Sequence, residues 1–424
     1  MNGNWEWLTL DDVLIQQANR KKVQQGWSPK CHAFPAAPGQ WGVLKTTAIQ
    51  AGRFEPEHNK ALPDHLAPKP GIEIESGDLL VTCAGPRSRC GVPTLVRSTP
   101  QRLMMSGKMY RFRADDRLAP RFLELWLLSP DAQRQIDAMK TGISDSGLNL
   151  THGRFTRLPV PVPPLAEQHR IVDLLEDHLS RLDAAESLVR TSLRRLTSLR
   201  QSALSDFHDG DLTPLGELAV DSGYGTSEKC VPDGPGPAVV RIPNLMNGRI
   251  DLFDEKRIAS ASADVARYRL APGDLLIVRT NGSVDLIGRS AVVQDGVDAA
   301  FASYLIRYQL RLDRVIPEWA QAMLSTPQVR AKIETLAASS AGQHNLSLGK
   351  LNPLELPIPT LTVQAARLGR LADVDGKISR LRAELSAAES RGVNLRRSLL
   401  AAAFAGRLTD SASKPPAVEE ILNA

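Results

Sequence analysis

Two carboxylate pairs, Asp11-Asp12 and Asp115-Asp116, are the places where a metal-dependent hydrolytic centre could begin. Such a centre wants a further acid and a lysine beside the pair, and both pairs sit in turn-like sequence without them. The histidines His32, His58, His65, His152, His169, His178, His208 and His344 show no i,i+4 pairing and no ligand spacing. They read as solvated or helix-surface residues. Cys31, Cys83, Cys90 and Cys230 lack zinc-ligand spacing and read as reduced thiols, so no metal is expected. Gly223-Tyr224-Gly225 is a weak phosphate cradle, and no GxGxxG or P-loop pattern links a strand to a helix. Asn352-Pro353 lacks the following Pro-aromatic of an amino-methyltransferase motif. The expectation is a chain that is not itself an enzyme and holds no cofactor.

What the sequence does specify is framework. From Pro164 to Leu212 it has the period of one long helix, with Leu175, Leu182, Val189, Leu196 and Ala203 seven residues apart. His178, Ala185, Ser192 and Leu199 fall on the neighbouring three-residue offset. Such a seam, flanked by Arg, Glu and Asp, packs along a second helix. Pro163 and Pro164 stop any helix before it and Gly210 ends it. The ~40 residues from Glu167 to Asp206 would span roughly 60 Å.

The partner helix lies in the same chain. An offset of 196 residues carries Leu175, Leu182, Val189 and Ala203 onto Leu371, Ile378, Leu385 and Leu399. The second row becomes Val374, Leu381, Ala388 and Leu395, while Leu196 meets Gly392, where packing should weaken. Asn149-Leu150 maps to Asn345-Leu346, Val160-Pro161-Val162-Pro163 to Leu356-Pro357-Ile358-Pro359, and Gly210-Asp211-Leu212 to Gly406-Arg407-Leu408. A constant, gapless offset over such a length identifies a tandem duplication.

At 424 residues the chain can hold two to four units with their own cores. Its start has neither a basic n-region nor an apolar h-region, and no run of eighteen apolar residues occurs, so a cytoplasmic protein without a membrane span is expected. A net charge of +5 permits an anionic partner without demanding one. The reading gives a first variable region over 1–163, a long helix over 164–210, a second variable region over 211–359, a second long helix over 360–408 and a tail over 409–424. In the first half, Ile72 and Ile74 alternating with Glu73 and Glu75 suggest a strand leading to the Ser76-Gly77-Asp78 turn. A helix or helix pair broken at Ser129-Pro130 follows. Gly77-Asp78-Leu79-Leu80 returns as Gly273-Asp274-Leu275-Leu276. A shared framework with divergent polar loops implies two related, non-identical binding surfaces.

The stretch Pro161-Val162-Pro163-Pro164-Leu165-Ala166-Glu167-Gln168-His169-Arg170-Ile171 resembles the shared region of type I restriction–modification specificity subunits. So do the Gly-Asp-Leu-Leu strands, Leu44-Lys45-Thr46 with Glu57, Asn59 and Lys60 after it, and Arg241-Ile242-Pro243-Asn244. The second copy of the helix entry, Thr360-Leu361-Thr362-Val363-Gln364-Ala365-Ala366-Arg367, keeps the Leu and Gln but lacks the Glu and the Ile. The resemblance implies an α/β (α+β) chain in which two globular target-recognition domains are separated by two long helices pairing as an antiparallel coiled coil, with an internal pseudo-twofold repeat. It further implies double-stranded DNA with a bipartite site as ligand and a coiled coil that sets the spacer. Two methyltransferase (modification) subunits using S-adenosylmethionine and restriction/translocase subunits using ATP and Mg would be partners.

For such a reader, affinity comes from Lys and Arg on phosphates, and base contacts from Arg to guanine or Asn and Gln to adenine. Candidates in the first half are Lys45, Thr46, Thr47, Asn59, Lys60, Arg87, Ser88, Arg89 and Asn149. Those in the second are Tyr224, Thr226, Ser227, Arg241, Asn244, Arg279, Thr280, Asn281, Ser283, His344 and Asn345. Arg87-Ser88-Arg89 and Arg279-Thr280-Asn281 rank higher because they follow equivalent strands. Asn149 and Asn345 also fit a role capping or bracing the turn before the proline strand. Two other readings stay open: a stand-alone methyltransferase or nuclease carrying this module, and a coiled-coil assembly scaffold with protein-binding globular domains.

Overall fold

Gly77 and Gly273 both take the left-handed conformation, with φ of 90° and 87°, where a Cβ would be strained. The aspartate after each folds back over the turn: Asp78 accepts from the Glu75 amide at 2.8 Å and Asp274 from the Ala271 amide at 2.9 Å. The two leucines that follow then enter a buried strand, Leu79–Thr82 in one half and Leu275–Val278 in the other. One turn chemistry thus starts a central strand twice.

The architecture comes from a computed structural model that describes residues 5–17, 20–205, 207–261, 265–337 and 344–408. The tail expected over 409–424 lies outside the described residues. The chain divides into two compact units, Met1–Val189 with Ala387–Ala424, and Arg190–Ser386.

In the first unit the central sheet has four strands in the order Gln24–Gln25, Met109–Phe112, Leu79–Thr82, Pro93–Leu95. A smaller sheet sets Gly42–Leu44 between Leu103–Met104, parallel, and Asn59–Ala61, antiparallel. The strand expected around Ile72 and Ile74 does not form. Pro70–Ile72 is a 3-10 turn, because Pro70 fits its first position, and only Glu73 makes a bridge, to Met104. Pro120–Leu128 and Pro130–Met139 are two helices, and Ser129 caps the second by accepting from the Ala132 amide at 3.3 Å. The proline strand Pro159–Val162 pairs antiparallel with Glu6–Thr9.

The second unit repeats this plan. Ala219–Tyr224 at the edge, then Leu305–Leu310, Leu275–Val278 and Ser290–Val292, are the first four strands across a six-stranded sheet. Ala238–Val240 pairs in parallel with Ala299–Phe301, as Gly42–Leu44 does with Leu103–Met104. The proline strand Glu355–Ile358 pairs with Asp211–Pro214. Pro317–Leu324 and Pro327–Ala337 are two helices, again parted at a proline.

The long helices run over Leu165–Ser205 and Leu361–Phe404, and the division between the units falls inside both. The first ends five residues before Gly210, whose φ of 116° belongs to the turn beyond it. Within the first unit Arg396 of the second helix pairs with Asp183 and, at 3.3 Å, with Glu186 of the first. Within the second unit Arg200 meets Asp375 at 2.8 Å. In the same unit Asp209, just past the first helix, meets Arg367, so within this unit the partner number falls as the residue number rises and the helices run antiparallel. Leu175 and Leu196, and Leu371, Ile378 and Leu399, are buried as expected. The neighbouring row is corrected. Leu179 is buried and Leu193 half-buried, whereas Ala185 and Leu199 are exposed. Packing selects the row four residues on because it carries Val172, Leu179 and Leu193, whose burial gains more than that of His178 and Ser192. In the second helix Leu381 is exposed, but Val374, Ala388 and Leu395 of the expected row are half-buried, so the correction applies to the first helix.

Candidate nucleic-acid interface

A glutamine docks each long helix onto its unit. Gln168 is fully buried; its Oε1 accepts from the Ala119 amide at 2.8 Å, and its Nε2 donates to Arg117 O at 2.8 Å and Pro163 O at 2.7 Å. Gln364 repeats the arrangement on the Ile316 amide, Arg314 O and Pro359 O, at 2.8, 3.0 and 2.8 Å. The Gln retained in both helix entries is thus a three-bonded clamp, a role for which the sequence offered no signal beyond recurrence. Trp126 Nε1 donates to Pro159 O at 3.1 Å and Trp319 Nε1 to Pro357 O at 2.9 Å, holding the proline strands in the same way. Loop positions in the two units can therefore be matched.

In the first unit Lys45 and Lys60 are exposed, Lys45 just before the turn Thr46–Ala48 and Lys60 opposite Val43. Thr46 is half-buried and Thr47 exposed. Asn59 is corrected: it is buried, with Oδ1 accepting from the Ala36 amide and Nδ2 donating to Pro56 O, both at 2.8 Å. It braces a loop, and its burial keeps it from a base. Arg87 is ion-paired with Asp137 at 2.7 Å and Asp145 at 3.1 Å, which hold its guanidinium above its usual pKa. Arg89 points back into the unit, donating to Thr46 O at 2.6 Å, Ile49 O at 2.7 Å and Gln50 Oε1 at 2.9 Å. It fixes the turn that carries Lys45 and Thr46. Ser88 and Asn149 are exposed.

In the second unit Arg241 takes the place of Lys45, before the turn Ile242–Asn244, and is paired with Asp254 at 2.7 Å. That pairing draws the Asp254 carboxyl below its usual range. Asn244 is corrected as Asn59 was, being fully buried between the Arg241 amide at 2.9 Å and Asp251 O at 2.8 Å. Thr226 is buried, whereas Ser227 and Ser283 are exposed. Asn281 Oδ1 accepts from the Ser283 amide at 2.8 Å. Half-buried His344 pairs across two short strands with Asn281, and Asn345 with Thr280.

Arg279, Tyr224 and Asn345 come together. The Arg279 guanidinium lies 4.5 Å from the centroid of the half-exposed Tyr224 ring, a favourable cation–π arrangement. Asn345 Oδ1 accepts from Arg279 Nη2 at 3.2 Å and Thr280 Oγ1 at 3.1 Å. Asn345 therefore braces an arginine rather than a turn. Arg87-Ser88-Arg89 is not the counterpart of Arg279-Thr280-Asn281: matched by pairing, Ala84 opposite Asn149 corresponds to Thr280 opposite Asn345, so Cys83 stands where Arg279 does.

Glu55, Glu57 and His58 place ligand atoms within 4.8 Å of one another. Arg53 is ion-paired with Glu55 at 2.5 Å and His58 Nδ1 lies 3.1 Å from the same carboxylate, so Glu55 is already engaged. The four cysteines are free thiols. Burial pushes Cys83 up to about 12 and raises Cys90, which makes both poor nucleophiles and ligands. Among the described residues no helix is long and apolar enough to cross a membrane.

Residues 56–188 match the family described as type I restriction modification DNA specificity domain. The chain is 34% identical over 208 residues to the EcoEI specificity subunit of Escherichia coli, a match covering 47% of this chain and 34% of that protein. It is 24% identical over 388 residues to the StySPI specificity subunit of Salmonella potsdam, covering 87% of this chain and 82% of that one. Its fold matches a chain from a solved structure concerned with complex assembly and conformational transition of the type I R-M system, with TM-score 0.68, 19% identity and coverage of 96% and 99%. About a third of the EcoEI protein and four fifths of the StySPI protein are thus spanned.

Proposed function

We infer that this chain is a type I restriction–modification specificity subunit, the non-catalytic, sequence-reading member of a complex that modifies DNA. The observation that carries the reading is the DNA specificity match over 56–188 on a framework that the second unit repeats with different loop residues. Two such frameworks suit a bipartite site, each unit reading one half, with Lys45, Lys60 and Ser88 on one side and Tyr224, Arg279, Thr280, Asn281 and Ser283 on the other. The antiparallel helices would set the spacer between the half-sites. Methylation from S-adenosylmethionine and ATP- and Mg-dependent translocation would come from partner subunits, with two modification subunits per chain because the repeat offers two similar surfaces. A scaffold that binds only protein gains nothing from the specificity-domain match.

Duplex binding by the full chain at graded salt tests the reading, since phosphate contacts make affinity fall steeply with salt. Mapping methylated positions in DNA exposed to the assembled complex should then show two short specific runs separated by a fixed gap. Binding without sequence preference, or methylation at a single continuous site, would refute it.

A further inference from the structure

We propose that the second unit reads a guanine through the hydrogen-bond donors of Arg279 and Asn345, and that the equivalent place in the first unit lacks this capacity. The proposal rests on the recognition role above and adds which base is read and by which unit.

The donors can be counted. An arginine has five N–H groups, and three of Arg279's are spent: Nε on Leu346 O at 3.3 Å, Nη1 on Ser303 O at 3.3 Å and Nη2 on Asn345 Oδ1 at 3.2 Å. One N–H on each terminal nitrogen is left over. Among the described residues no carboxylate pairs with Arg279, so its charge is not neutralised as those of Arg87 and Arg241 are. The Tyr224 ring on one face and three acceptors hold the guanidinium in one plane, so little side-chain freedom is left to lose on binding. Asn345 is fixed too. The residue is exposed, and its Oδ1 takes two donors, from Arg279 and Thr280, while neither Nδ2 hydrogen is spent on a described residue.

Arg279 and Asn345 together therefore have donors to offer and no free side-chain acceptor. In the major groove guanine presents two acceptors, O6 and N7, whereas adenine places a donor beside its acceptor. The adenine amino group would oppose an N–H. A phosphate is also all acceptor, and the test below separates the two.

The first unit supplies the control. Gly26 and Gly225 make the same close approach, where a Cβ would lie 2.4 Å from Met105 O and 2.3 Å from Phe301 O. The residues before them, Gln25 and Tyr224, are therefore equivalent. Gln25 donates to Gly107 O at 2.6 Å instead of flanking a cation. Cys83, buried and neutral, replaces Arg279, and Ala84 replaces Thr280. Only Asn149 keeps the place of Asn345.

The experiment selects duplexes bound by the full chain from a random library. Wild type should require guanine at one position of one half-site. Arg279→Ala should lower that preference about tenfold or more and leave the other half-site intact, which also reports that the chain is folded. Asn345→Asp keeps the acceptor for Arg279 and Thr280 but puts a carboxylate oxygen where the amino group was, and should lose the same preference. Replacing N7 of that guanine by carbon should weaken wild type about tenfold and Arg279→Ala not at all. A uniform loss across all sequences in Arg279→Ala means a phosphate contact or a brace and overturns the inference, as does an unchanged motif. In both of those cases the bipartite motif of the wild type still stands. No motif in the wild type overturns the recognition role itself, and this inference with it.

Discussion

Gln168 and Ala119 are joined by a 2.8 Å hydrogen bond that ties the first turn of the first long helix to the residue capping the helix at Pro120. The same side chain holds two carbonyls, so truncation strands a buried amide and two buried acceptors at once. Gln168→Ala should cost about 1–3 kcal/mol. Gln364→Ala should cost about the same, as its bonds match in kind and length. Denaturant unfolding of each variant checks this. A loss below about 0.5 kcal/mol in both would mean that water replaces the clamp.

The far ends of the long helices are anchored by aromatic rings. In the first unit Phe404 meets Phe122 and Trp126 edge-on, at 5.3 and 5.2 Å between centroids. In the second, Phe207 stacks on Trp319 at 4.6 Å. Both phenylalanines are buried, so Phe404→Ala and Phe207→Ala should each cost about 3–5 kcal/mol. Each loss should appear in tryptophan fluorescence as an earlier transition. An unchanged midpoint would show that the anchor contributes only shape.

How much of this was legible depended on period and spacing. The duplication, the long helices and the turn around Gly77-Asp78 follow from residues close in sequence, so pattern alone exposes them. The second helical row did not follow, because a seven-residue repeat leaves two flanking rows open and the partner surface chose the one with Leu179. The loop candidates were the least legible. Asn59, Asn244, Arg87 and Arg89 are residue types that read bases, yet here they serve loops whose hydrogen-bond partners lie up to 58 residues away. Nothing local separates an arginine paired with Asp145 from one stacked on Tyr224. The 196-residue offset already sets Cys83 on Arg279 and Asn149 on Asn345, whereas Gln25 and Tyr224 fall outside that offset and are matched only through the strands they pair with.

Glu124 gives a pH dependence with a definite sign. It is fully buried, accepts from the Leu95 amide at 2.7 Å and lies against Arg121. Burial outweighs these partners and raises its pKa above the ordinary value for a glutamate. The folded state then binds the proton more readily than the unfolded chain. This stabilising contribution is complete below the unfolded pKa and lost as pH rises through the folded one. Glu124→Gln removes the titrating group and keeps an oxygen for the Leu95 amide. From about pH 4 to about pH 7, wild type should therefore lose stability relative to the variant. A widening advantage for wild type over that range in urea midpoints would contradict the direction of the shift.

The last prediction concerns what binds the outside of the first long helix. Leu174 and Leu188 are 38% and 64% exposed, and at fourteen residues apart they lie within about 40° of each other around the helix. Leu179, Leu193 and Leu204 do not share that face, because Leu179 and Leu204 are buried and Leu193 is half-buried. A charge at Leu193 would disturb the helix pair itself and cannot serve as a surface test. Leu174→Glu and Leu188→Glu can, since neither touches the buried row. Exposed leucines at helical spacing on an otherwise charged surface suit a protein partner, and the proposed modification subunit is that partner. The double variant should keep its circular dichroism and its duplex binding while losing co-purification with the modification subunit. Undiminished co-purification would exclude this face as the docking surface and leave the rest of the recognition reading untouched.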